Sequence, residues 1–392
     1  MKKAALFISL ILSIHSFAQN LSTGYWLGRT TGKLPSITYS TGDDRLGSAK
    51  MGYLDSNVLL KIVDSSQSAY VVQLSKYHTA YIDKGYVKQD SLLKEAKPFY
   101  PSSSIYAKGT DSCYDILSIN LEEHLPYSSR MEINPSKIIL DIYGVKSNTN
   151  WITQLSSLKE IKNIYYTQIE DDVLSITIEL KHRQHWGYSI GYNGKSLTVK
   201  VKRQPAILDI RNLKIAIDAG HGGTNTGAEG IKTKIVEKDY TLLYAKTLSA
   251  ILKKTGVKKI VMTRITDTTI DMKDRILFHQ QQNPDILISL HFNSANDSLI
   301  NGSSTYYRYI GFRLLSQAIL NRMLEIKMNE YGNIGSFNFA LNAPTDFINC
   351  LLEIGFLSNE ADEKRIKQTK FRILVANQIV KAINDWLLQC KK

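Results

Sequence analysis

Along residues 24–95 the apolar side chains come in short runs. Val58–Val63 and Ala69–Leu74 flank the polar turn Asp64–Gln67, and Tyr81–Ile82 precedes Lys84–Val87. Runs of five or six residues at this spacing predict the strands of a small barrel. Between 112 and 203 the period is again two. Tyr114–Leu121, Val173–Leu180 and Leu197–Val201 alternate, and Ile138–Tyr143 is nearly continuous in apolar residues. That predicts a second all-β unit with one fully buried strand. Ala96–Gly109, with Pro98, Pro101 and three consecutive serines, reads as a linker. Pro205–Arg211 joins the second unit to the rest.

From Lys214 the pattern changes to alternating strand and helix. Ile215–Ala219 is a buried strand that stops at Gly220-His221-Gly222-Gly223. Tyr240, Leu243, Tyr244, Leu248, Ile251 and Leu252 form a 3.6-residue stripe over 237–255, closed by Gly256. Lys259–Thr263 is a strand, Asp271 caps a helix that Pro284 ends, and Ile286–Leu290 runs into His291. Helices over 312–328 and 365–388 bracket the strand that leads through Leu352 into Glu353. The expected fold over 212–388 is α/β, a mostly parallel sheet with helices on both faces, preceded by two small all-β domains.

Composition adds three constraints. Sixteen of the 22 tyrosines precede residue 205, in keeping with a β-rich first half. The cysteines, Cys113, Cys350 and Cys390, are too sparse for a disulfide framework or a cysteine-held metal. Any metal must be held by histidine and carboxylate. The formal net charge of +13 favours anionic partners. Residues 1–18 combine Lys2 and Lys3, the apolar run Ala4–Ile14 and the small-x-small site Ser16-Phe17-Ala18. This is the pattern of an export leader, which points away from nucleic acid and toward the acidic polymers of a cell wall. No later run has the length of a membrane span.

The chemistry concentrates at strand ends. His221, His291 and Glu353 each follow an apolar strand, and Glu237 opens the first helix, where the dipole favours a carboxylate. Open α/β sheets bind ligands at the carboxyl ends of their strands, so these four converge despite their separation. A histidine in a glycine turn, taken alone, is as readily a turn cap as a ligand. Two imidazoles and a carboxylate, however, suit zinc with an open position, and a further carboxylate suits a general base. Arg264 and Arg275 are expected to hold the domain together or line the cleft. His279 is expected at the surface. His182 and His185 are expected on opposite faces of a strand, and Trp186 in a core.

The motifs Ile217-Asp-Ala-Gly-His-Gly-Gly223, Val236-Glu-Lys238, Met262-Thr-Arg264, Asp274-Arg275, Ser289-Leu-His-Phe-Asn293 and Leu352-Glu-Ile-Gly-Phe-Leu-Ser-Asn359 together resemble the zinc-dependent N-acetylmuramoyl-L-alanine amidases. The resemblance implies that His221, Glu237 and His291 bind Zn2+, that Glu353 is the catalytic base, and that Asn293 contacts substrate. It implies an exported hydrolase, periplasmic or secreted, whose partner is peptidoglycan. Arg45–Tyr53 with Tyr70–Leu74 and Gly85–Val87 resembles a bacterial SH3-like domain, over 24–95. Ser136–Gly144 resembles the core strand of an AMIN domain, over 112–203. Both resemblances imply envelope-targeting contacts. Phe292, where the family carries a small residue, is expected to narrow the cleft, and the glycines around His221 to admit substrate. A zinc peptidase cutting a wall cross-link, and an inactive wall-binding protein, are the alternative readings.

Overall fold

The computed structural model describes residues 24–42, 47–93, 95–110 and 113–391. The leader expected over 1–18, and Arg45 and Leu46 of the SH3-like motif, lie outside the described residues.

The first β unit is a seven-stranded sheet in which Trp26–Thr30 pairs with Leu59–Ser65 and Val87–Gln89, all antiparallel. Its alternate residues Leu27, Ile37, Leu60, Ile62, Val72 and Ile82 form the interior. The second unit has two sheets. Tyr127–Ile133, Ser136–Tyr143, Val173–Leu180 and Ile161–Glu170 make the smaller one. The larger contains Tyr100–Gly109, Tyr114–Leu121, Ser196–Lys202 and Tyr188–Asn193. Tyr100–Gly109 therefore corrects the linker expectation for 96–109. Exposed Pro101, Ser103 and Tyr106 lie between buried Ser102, Ile105 and Ala107, and the strand pairs with Tyr114–Leu121. Proline is tolerated near a strand start, and the period of two outweighs the turn-forming composition.

The C-terminal domain comprises β1 (Lys214–Ala219), α1 (Glu237–Lys254), β2 (Lys259–Met262), α2 (Met272–Gln282), β3 (Ile286–Asn293), β4 (Ser303–Tyr306), α3 (Arg313–Glu325), β5 (Glu330–Ile334), β6 (Ile348–Phe356), α4 (Glu360–Ile366) and α5 (Thr369–Gln389). The sheet order is β2-β1-β3-β6-β4-β5. All pairings are parallel except β4 with β6. Alternation along the strands divides the core. Ile215, Ile217, Ile286 and Ile288 pack with Tyr244 and Leu248 of α1. Ala216 and Leu287 pack with Ile276 of α2 and with Phe347 on the opposite face. The helix expected over 365–388 is two helices, because Lys367 and Gln368 interrupt it.

The β units are packed against this domain. The Tyr188 N–H donates to the Thr345 carbonyl at 2.7 Å, and the Thr345 hydroxyl returns a bond to the Tyr188 carbonyl at 2.8 Å. Trp186, expected in a core, is buried against Trp386 of α5 with ring centroids 5.2 Å apart. The Asn338 amide donates to the Ser48 carbonyl at 2.7 Å, tying the first unit to the segment that precedes β6.

Candidate functional site

β1 delivers His221 through a strained turn. His221 has φ +60°, the left-handed region that non-glycine residues rarely occupy, and Gly222 and Gly223 follow at +133° and +56°. Buried cations hold the turn. Arg264 donates to the carbonyls of Ala219 (3.0 Å), Gly220 (2.9 Å) and Lys238 (2.7 Å). Arg275 donates to the carbonyls of Ala219 and His221 and pairs with Asp218 at 2.7 Å. Both arginines thus hold the domain together. Burial pushes the Asp218 carboxyl up, but the Arg275 guanidinium, with hydrogen bonds from Thr263 and Ser289, overcomes this and holds it at about 2.

The turn glycines make room for protein. A Cβ on Gly220 would stand 2.3 Å from the His291 ring, and one on Gly227 would stand 2.4 Å from the Glu237 carboxylate. Those on Gly222 and Gly223 would strike Thr268 and Thr269. The expectation that glycines here admit substrate is therefore corrected: they admit the imidazoles and the neighbouring loop.

Glu237, the first residue of α1, is 3% exposed. Its Oε2 accepts the Ala228 N–H at 2.8 Å, and its Oε1 accepts the Phe292 N–H at 3.1 Å. The same Oε1 lies 3.0 Å from His221 Nε2 and 3.0 Å from His291 Nδ1. Burial raises the Glu237 carboxyl, yet hydrogen bonds from the two imidazoles hold it well below the usual carboxylate range. Burial pushes the His221 imidazole down, and Glu237 more than offsets this, so His221 is net raised. His221 Nδ1 donates to Asn225 Oδ1 at 2.8 Å, which leaves Nε2 facing the cluster. Among the described residues, His221, Glu237 and His291 offer donor atoms all within 4.8 Å of one another. This mixed set of nitrogen and oxygen donors, anchored on one carboxylate oxygen, fits a divalent cation of zinc type.

β3 continues through His291 to Asn293, and β6 continues past Glu353 to Phe356. Neither residue is a strand terminus, as the sequence pattern suggested. In the parallel register His291 stands directly opposite Glu353. Paired residues point to the same face of a sheet, with strands about 4.8 Å apart. Glu353 is 7% exposed and lies outside the three-residue cluster, beside it. Asn293 lies two residues beyond His291; burial raises the Tyr306 phenol, and the Asn293 side chain is near enough to lower it slightly.

Phe292 alternates to the other face. It is buried and packs edge-on to Tyr244 of α1, ring centroids 5.0 Å apart. It does not narrow the cleft. His279, expected at the surface, is fully buried with its Nε2 2.9 Å from the Thr263 hydroxyl, and burial pushes its imidazole down to about 4. His182 and His185 lie in the turn after Val173–Leu180 rather than within a strand. His182 meets Glu160 at 2.8 Å and His185 meets the Glu132 carbonyl at 2.8 Å. The site residues that sequence reasoning missed are Asn225 and Tyr306. Asn225 carried a usable signal, an amide four residues after a glycine-flanked histidine. Tyr306 carried none, since only the antiparallel pairing of β4 with β6 brings it near.

A sheet of this topology, with two imidazoles and a carboxylate gathered beside a second acid, defines the class: an α/β domain with a candidate metal-binding rim. Residues 215–385 match the family described as N-acetylmuramoyl-L-alanine amidase, and the C-terminal domain belongs to that family. The "Probable cell wall amidase LytH" of Staphylococcus saprophyticus is 29% identical over 212 residues, 54% of this chain and 70% of that protein. The protein of the same description from Staphylococcus aureus is 34% identical over 169 residues, 42% of this chain. The alignment spans 55% of that relative's length, about half. Among solved structures, the N-acetylmuramoyl-L-alanine amidase from Clostridium difficile 630 aligns at 30% identity over 46% of this chain and 100% of its own, with TM-score 0.44. No helix among the described residues is long and apolar enough to cross a membrane.

Proposed function

We propose that this protein is an exported peptidoglycan hydrolase that cleaves the amide bond between N-acetylmuramic acid and the L-alanine of the stem peptide. The observation that carries the reading is the juxtaposition of the His221–Glu237–His291 cluster with Glu353, one strand over and opposite His291. His221, Glu237 and His291 are the residues that would hold Zn2+. Zinc there supplies Lewis acidity to the amide carbonyl and makes water a better nucleophile at neutral pH. Glu353 accepts the proton of the attacking water and delivers it to the departing alanine nitrogen. Asn293, two residues beyond His291 and near Tyr306, contacts the substrate. The residue 1–18 leader directs the chain to the periplasm or the exterior, and the two β units contact envelope material.

The test is Glu353→Gln. The variant is expected to keep its zinc content and melting temperature and to lose peptide release from peptidoglycan by about 10²–10⁴-fold. Full release by a folded, zinc-loaded variant rejects the role. Mass spectrometry of the parent digest separates the readings. A new N-terminal L-alanine identifies the amidase, another new amine a peptidase, and no product a wall-binding protein.

A further inference from the structure

A cavity among the described residues lies away from the His221 cluster. It is a cleft of about 670 Å³ where the first β unit meets the second, within the size range of small-ligand sites. Its first wall carries Lys61, Gln73 and Lys76, and its second carries Tyr100, Lys146 and Asp172, with Lys97 on the crossing segment. Fixed contacts hold the walls at their separation. The Leu59 N–H donates to the His124 carbonyl at 2.8 Å, Arg29 grips Glu123 with bonds of 3.0 and 2.9 Å, and the Lys76 N–H donates to Asp172 Oδ2 at 2.8 Å.

Four ammonium groups surround this space. Lys97 is paired with Glu122 at 2.7 Å. Lys61, Lys76 and Lys146 have no carboxylate within ion-pair distance among the described residues. Their ammonium heads lie over rings, with Lys61 Nζ 4.6 Å from the Tyr25 centroid, Lys76 Nζ 5.0 Å from that of Tyr77 and Lys146 Nζ 5.1 Å from that of Phe99. Ordering on rings lowers the entropy lost when a ligand engages the charged heads. Against this positive field stands one acceptor that lacks a donor. Asp172 Oδ1 is buried without a hydrogen-bond partner. The Asp172 carboxylate, which lines the cleft, has no lysine or arginine within ion-pair distance among the described residues, so an ammonium-bearing ligand finds a free counter-charge there.

We infer that this inter-unit cleft is a second binding site, for a short peptide bearing several carboxylates and a free amine. The carboxylates meet Lys61, Lys76 and Lys146, and the amine meets Asp172. A phosphate polymer brings no cation for Asp172, and a neutral glycan brings no anion for the lysines. The identification of the peptide with the wall stem peptide rests on the function proposed above. The same chemistry has two sources: stems still attached to wall glycan, and stems released by hydrolysis.

The experiment uses the full chain in two arms, isothermal titration with a synthetic stem tripeptide and co-sedimentation with purified peptidoglycan. The variants are Lys61→Ala/Lys146→Ala and Asp172→Asn, with melting temperature and zinc content checking the fold. The expected result is a tenfold or greater loss of affinity in the double variant and a several-fold loss in Asp172→Asn. A response in the tripeptide arm identifies released stems, and a response in sedimentation alone identifies attached ones. Unchanged binding by folded variants in both arms overturns the site. So does competition by a glycerol-phosphate polymer at a cleft that takes no tripeptide. A failure of the proposed amidase reaction shows separately, as absent L-alanine product with the binding pattern intact.

Discussion

At the scale of single residues, the site is governed by groups that orient the side chains of the candidate metal cluster. Asn225 fixes the His221 ring by accepting its Nδ1 proton at 2.8 Å. Such outer partners of metal-ligating imidazoles typically contribute 10–100-fold in affinity. Asn225→Ala is expected to weaken zinc binding by about that factor, measured by competition against a chromogenic chelator, with the fold unchanged. Asp218 acts one layer further out, since its ion pair holds Arg275 against the carbonyls of Ala219 and His221. Asp218→Ala leaves a buried guanidinium unpaired and is expected to cost about 3–5 kcal/mol at neutral pH. Because the folded Asp218 carboxyl is depressed from 3.8 to about 2, its stabilisation is present above pH 3.8 and is lost as pH falls through about 2. That contribution is about 2 kcal/mol. Urea titrations of parent and variant should therefore converge on acidification, and a gap that stays constant down to pH 2 contradicts the assignment.

At the scale of elements, the sheet register performs the assembly. β3 and β6 run parallel with His291 opposite Glu353, so one slip of register would turn either side chain into the helix layer. Phe292 demonstrates that parity, since its neighbour His291 faces the site while it packs on Tyr244. The turn after β1 must then leave space for a ring from β3. Gly220→Ala is expected to displace His291, because the added methyl would stand 2.3 Å from its ring. Zinc content should fall markedly while the circular dichroism of the folded domain persists. Normal zinc stoichiometry in that variant would show that the ring has room to move. α3, of 13 residues, occupies the span between His291 and Glu353 and packs on the sheet and α5.

At the scale of the whole molecule, the β units and the C-terminal domain share buried surface. Trp186 and Trp386 are each no more than 1% exposed, and the Trp386 indole donates to Gln184 at 2.9 Å. The segment leading into β6 is bonded to both β units through Asn338 and Thr345. Trp186→Ala is expected to destabilise the protein by about 3–5 kcal/mol, read by chemical denaturation. A fragment starting at residue 212 would expose Trp386 and is expected to melt lower than the full chain. An isolated fragment as stable as the whole would show that the interface contributes little.

The sequence by itself determined most of the elements and which groups are candidates for the site. A change of period from 2 to 3.6 marks the start of the α/β domain, and Asp271 caps α2 by accepting the Asp274 N–H at 2.8 Å, as its position implied. His221, His291 and Glu353 were legible because each is a polar group set against an apolar run, and Glu237 because it opens the first helix. Tertiary structure decided what depends on contacts between distant segments. It placed His279 inside, turned Phe292 away from the cleft, made a strand of 100–109, and brought Tyr306 and Asn293 together. The physical reason is that periodicity reports only whether one face of an element is apolar. Which surface meets that face, and which polar atoms are satisfied there, is set by strand register and by packing between units.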